Sequence, residues 1–152
     1  MTRTMAHPPR LVYLLGSAQR RLQQWIATQQ QRAALSGARP PTPAQAGVLF
    51  VLARSDGITM GQLAKALDLA PSAASGLVQR MEALDWVARR PSPHDARTLQ
   101  LWLLPAGQAQ LPALRTATQS INQRLTAGFT DAELHTVARW LEHVQTLGDS
   151  HD

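Results

Sequence analysis

The stretch GITMGQLAKALDLAPSAASGLVQRMEALDWVARRPSPHDARTLQLWLL, residues 57–104, decides the fold. Ile58 and Thr59 leave room for only a very short strand. Thr59-Met60-Gly61-Gln62 has capping-box spacing, a threonine with a glutamine three residues on, and opens a helix over Met60–Leu67. Its buried side is Leu63, Ala64 and Leu67. Asp68-Leu69-Ala70-Pro71 makes the turn. Ser72–Leu84 then reads as a second helix, with Ala74, Leu77, Val78, Met81 and Leu84 on one face. Ser72, Ser75, Gly76, Gln79 and Arg80 fall on the opposite face. Trp86–Arg90 and Thr98–Leu103 read as two strands, with Leu99, Leu101 and Leu103 alternating. Pro91-Ser92-Pro93-His94-Asp95-Ala96 between them has the chemistry of a hairpin tip.

Outside this stretch the periodicity is helical. From Pro9 to about Leu35 the residues Leu11, Leu14, Leu15, Ala18, Leu22, Trp25 and Ile26 recur at three- and four-residue spacing, predicting one long amphipathic helix ended by Gly37 and Pro40-Pro41. Thr42-Pro43-Ala44-Gln45 opens another, with Val48, Leu49, Val51 and Leu52 inward, which stops near Ser55-Asp56-Gly57. Pro105 starts a helix reaching about Ala127, with Pro112 placed to disturb it. Thr130-Asp131-Ala132-Glu133 is a third capping box. It opens a last helix with Leu134, Val137, Ala138, Leu141 and Val144 on the apolar side. The fold class is therefore mainly α with a small β-wing (α+β). Residues 42–104 form a winged helix-turn-helix; residues 9–36 and 105–147 form a helical dimerisation region. Amphipathic helices so far apart in sequence are expected to bury their stripes on one another and on a second copy.

The bulk numbers agree with a globular protein. At 152 residues and 44% apolar content the chain can bury a core. It has no apolar run near the roughly 18 residues of a membrane span. The segment Met1–Pro9 lacks the apolar centre of a secretory signal, so a cytoplasmic location is expected. There is no cysteine, hence no disulfide framework, thiolate metal site or thiol switch. The net charge of +5 is uneven. Residues 1–54 carry seven arginines and no acid, whereas residues 105–152 carry three arginines against five acids. The basic part either attracts phosphate or packs against the acidic end. No Ser/His/Asp or Cys/His arrangement, glycine-rich phosphate loop or carboxylate pair stands out, so no enzyme and no cofactor is expected. His135 and His143 lie eight residues apart, too far for chelation along one helical turn, and no metal site is expected.

A helix–turn–helix followed by a basic hairpin has one dominant use, docking on duplex DNA. Ser72, Ser75 and Gln79 can reach base edges or phosphates from the second helix, and the Gln79 amide can pair with adenine N6 and N7. Arg97 at the hairpin tip can enter a narrow A·T-rich minor groove. Asp95, two residues earlier, is expected to orient the Arg97 guanidinium by a charge-assisted bond. Arg80, Arg89 and Arg90 suit either phosphate contacts or internal ion pairs, and His94 a phosphate contact. Tyr13, Trp25 and Trp102 are the aromatic candidates for a ligand pocket between the terminal helices and the winged helix. Trp102 is out of phase with its leucine neighbours.

These residues resemble the MarR-type transcriptional regulators. The similarity rests on Ile58–Ala64, Leu77–Glu82, Val87–Arg97 and Leu104–Gly107, and with the helix order it covers roughly residues 9–147. The resemblance implies a homodimer built from the terminal helices, two winged helices on a palindromic operator, repression, and release by a small phenolic or other aromatic ligand. Three positions depart from the family pattern: Ala70 lacks the usual capping hydroxyl, Gly76 replaces a long side chain, and Ala96 replaces the first wing arginine. The competing expectation is a winged helix used for protein–protein contact, its basic wing merely solvated.

Overall fold

The computed structural model describes residues 10–37 and 39–147. In chain order they form α1 (Leu11–Leu35), α2 (Pro43–Arg54), β1 (Ile58–Thr59), α3 (Met60–Ala66), α4 (Pro71–Glu82), β2 (Val87–Pro91), β3 (Leu99–Leu103), α5 (Pro105–Gln108), α6 (Leu111–Thr126) and α7 (Asp131–Thr146). The sheet is antiparallel in the order β1-β3-β2, with Ile58 opposite Leu101 and Arg89 also opposite Leu101 from the other side. This is the mainly helical architecture with a small wing that the sequence predicts.

All three capping boxes form. The Gln45 backbone N–H donates to Thr42 Oγ1 at 3.2 Å, and the Thr42 backbone N–H to Gln45 Oε1 at 2.9 Å. Thr59 and Gln62 repeat the same pair of bonds, and Thr130 and Glu133 do so with a carboxylate. Each box satisfies two helix-end donors and so fixes where α2, α3 and α7 begin.

One core unites the middle of the chain. Val48, Leu49 and Leu52 of α2 meet Leu63 of α3, Leu77, Val78 and Met81 of α4, Val87, Leu101, and Leu111 and Leu114 of α6. Burying each of the larger of these side chains stabilises the fold by about 1.5–3 kcal/mol. Two glycines allow close approach around the sheet. Gly57, at φ +79°, lies against the Trp102 ring; a side chain at Gly107 would collide with the Trp86 carbonyl. The turn from α4 to β2 passes through Asp85 at φ 56°, a left-handed conformation that aspartate tolerates better than most residues.

The structure corrects two expectations. The helix expected from Pro105 to Ala127 is two helices, interrupted at Ala109-Gln110. Pro112 has no N–H, and its ring excludes the carbonyl four residues back, so a continuous helix cannot pass. Leu84 is exposed and not on the buried face, because α4 ends at Glu82. The apolar stripes of the outer helices find little cover in their own chain. Leu11 and Leu14 of α1 are exposed, Val137 is 49% and Leu141 37% exposed, and no residue of α7 is buried.

Candidate nucleic-acid interface

The turn before α4 and the cap it lacks determine what the helix presents. Ala70 has the extended backbone of an N-cap but no side chain to accept a bond, so the first N–H groups of α4 have no capping side chain. Pro71 occupies the first helical position. The core side, Ala74, Leu77, Val78 and Met81, is buried, which turns Ser72, Gln79 and Arg80 outward to solvent, with Ser75 half-buried between them. Gly76 lies on this same open side. A Cβ there would meet only the Arg80 guanidinium, at 3.5 Å, so it is the absence of a side chain that leaves the middle of the face bare.

The wing departs from expectation in one residue and answers an open question in another. Asp95 does not bind the Arg97 guanidinium. Its Oδ1 accepts from the Arg97 backbone N–H at 3.0 Å and its Oδ2 from Thr98 Oγ1 at 3.3 Å, while its carbonyl accepts from the Thr98 N–H. A short aspartate side chain bonds most readily to the backbone two residues ahead, and that local turn wins over the longer reach to a guanidinium. Asp95 therefore shapes the tip and leaves the Arg97 head group unpaired among the described residues. His94 and Arg90 are likewise exposed.

Arg89 is an internal ion-pair residue. Its Nε donates to both Glu82 oxygens at 3.0 Å, its Nη2 to Oε2 at 2.6 Å, and its backbone N–H to Oε1 at 3.3 Å. Both side chains are 28% exposed, and this is the one ion pair among the described residues. Arg89 holds the Glu82 carboxyl below its ordinary range, chiefly by the side-chain hydrogen bonds and against the opposing effect of desolvation. The sequence pattern contains no spacing that announces this pair, because the two residues meet across a turn.

Tyr13, Trp25 and Trp102 are not brought together. Tyr13 is exposed beneath the Arg10 guanidinium, Trp25 lies under Arg124 with 5.6 Å to the ring centre, and Trp102 packs on Gly57. The space between the terminal helices and the winged helix is lined instead by smaller residues. A cavity of about 490 Å³ is bounded by Ile26, Gln30, Phe50, Leu114, Thr118 and Ile121, among others, and by Pro40, Pro41 and Pro43. Gln30 Nε2 donates to the Pro41 carbonyl at 3.2 Å along its wall. Ile26, Gln30 and Ala33 follow helical spacing on α1, a signal that aromatic content alone does not carry. Among the described residues no group of three or more His, Asp or Glu is placed to hold a metal, and no helix is long and apolar enough to cross a membrane.

Residues 40–98 match the MarR family model. A transcriptional regulatory protein named for the hcr operon of Thauera aromatica is 30% identical over 103 residues, 68% of this chain; the match spans 62% of that relative's own length. Among solved structures, a point mutant of Escherichia coli MarR complexed with operator DNA is 26% identical, with a TM-score of 0.69, covering 89% of this chain and 91% of that one. Bordetella bronchiseptica BpsR, described with regulation of its DNA binding by 6-hydroxynicotinic acid, has a TM-score of 0.76 at 23% identity, covering 90% of this chain and 99% of that one. The last likeness is one of fold.

Proposed function

This chain belongs to the MarR family, and from that premise we propose that it is a DNA-binding transcriptional repressor, acting as a homodimer on a palindromic operator. The observation that carries the proposal is the exposed polar face of α4 together with an unpaired Arg97 on the wing. In this reading α4 enters the major groove. Gln79 reads a base edge, Ser72 and Ser75 touch bases or phosphate, and the uncapped N–H groups at the start of α4 donate to a phosphate oxygen. Arg80, Arg90 and His94 make backbone contacts, and Arg97 enters the adjacent minor groove. A second copy places an identical probe about 10 base pairs away, or a close multiple. The cavity between α1, α2 and α6 is the site for a small effector, whose body rests on Ile26, Phe50, Leu114 and Ile121.

The test begins with duplexes selected from genomic fragments by the full-length protein, followed by anisotropy titrations over a range of salt. Phosphate contacts give a steep linear fall of log affinity with log salt. Arg97→Ala should weaken binding about tenfold and lower the salt slope by about one. Selection that recovers no duplex, or an affinity indifferent to salt, would return the wing to a protein-binding role.

A further inference from the structure

The arginines of α4 and the wing divide into two kinds: Arg80, Arg90 and Arg97, exposed and without an ion-pair partner among the described residues, and Arg89, which has one. Its partner, Glu82, is the last residue of α4, and Arg89 is the middle residue of β2. Between them the chain reverses through Ala83, Leu84, Asp85 and Trp86, held by backbone bonds from Leu84 and Trp86 to the Met81 carbonyl. The carboxylate spans that reversal and takes hold of Arg89 twice, by the guanidinium fork and by the backbone N–H. In the antiparallel pairing, Val87, Arg89 and Pro91 share one face of β2. Val87 is buried in the core beneath α4, which sets Arg89 toward that helix.

We propose that Glu82 and Arg89 are positioning residues for DNA recognition: their fork fixes the wing strand against the end of the groove-reading helix, and so sets where Arg97 falls relative to Gln79. The inference rests on the DNA-binding reading above and adds to it a pair that never touches DNA. Two forked bonds resist rotation of β2 about the turn in a way that a single contact cannot. The wing is a two-stranded ribbon beyond Gln100, where β1 no longer flanks β3. With little else to brace it there, the angle set at Arg89 is carried to the tip.

A mutant cycle on the selected duplex tests this. Glu82→Gln keeps the shape and removes the charge. It should weaken binding about fivefold in the wild-type background, the value of an interaction of this class, and by less than about twofold where Arg97→Ala has already removed the finger. The preference for A·T over G·C pairs beneath the wing should fall with Glu82→Gln as it does with Arg97→Ala. Arg89→Lys, which keeps the charge and loses the fork, should behave as Glu82→Gln does. Equal losses in both backgrounds, or no loss in either, would overturn the proposal. If no duplex is recovered by the wild-type protein, the functional reading itself fails; a duplex bound normally by Glu82→Gln defeats only the positioning role.

Discussion

Arg89 pulls the Glu82 carboxyl below its ordinary value of 4.5, mainly through the hydrogen-bonded fork, while desolvation pushes the other way. A group whose pKa is depressed on folding contributes stability above its unfolded value and loses it as pH falls through the folded one. The melting-temperature gap between wild type and Glu82→Gln should thus be constant through neutral pH, correspond to about 1 kcal/mol for a pair this exposed, and close only below pH 4.5. A gap that varied across neutral pH would point to a different group. At this scale the sequence is legible where chemistry is local. Ser72 and Gln79 are exposed where periodicity places them, because burial of Leu77 and Met81 leaves them no other direction, and Arg97 lies in the turn that the hairpin chemistry predicts. Asp95 departs from its expected role because its short side chain reaches the backbone N–H two residues on more readily than a guanidinium. The partner of Arg89 is set by the turn through Asp85, which no local spacing encodes.

Among the elements, α4 is conspicuous for its missing cap. Ala70 already has φ −61° and ψ 146°, the backbone a capping serine needs. Ala70→Ser should therefore stabilise the protein by about 1 kcal/mol, a rise of about 2–4 °C in calorimetry; an unchanged melting temperature would show that the hydroxyl does not reach the free N–H groups. The three capping boxes are readable from sequence because both partners lie within one turn. The division of the penultimate helix into α5 and α6 is foreshadowed by Pro112 but not located by it, since the kink falls where Gly107 must also fit against Trp86. The cavity is legible in place and not in composition. Tyr13, Trp25 and Trp102 are absent from its lining, which includes Ile26, Phe50, Leu114 and Ile121 with prolines, alanines and Gln30, residues whose packing role a pattern does not distinguish from core.

For the whole molecule the deciding fact is the uncovered surface of α7 and of the start of α1. Val137 and Leu141 lie one turn apart and remain exposed, as do Leu11 and Leu14. Such a stripe is stable in water when a second surface covers it. Wild-type protein is expected to sediment as a dimer at micromolar concentration. The double change Val137→Glu and Leu141→Glu should give a monomer with unchanged helical circular dichroism, because neither residue belongs to the core around Leu49 and Met81. A monomeric wild type would remove the homodimer from the proposal.

The seat of Gly107 against the Trp86 carbonyl, reinforced by the Leu104 N–H that donates to the same oxygen at 2.9 Å, leaves the base of the carboxy-terminal arm without play. Leu111 and Leu114 hold the start of α6 in the same core as Val87, so packing lies on both sides of the break at Ala109-Gln110.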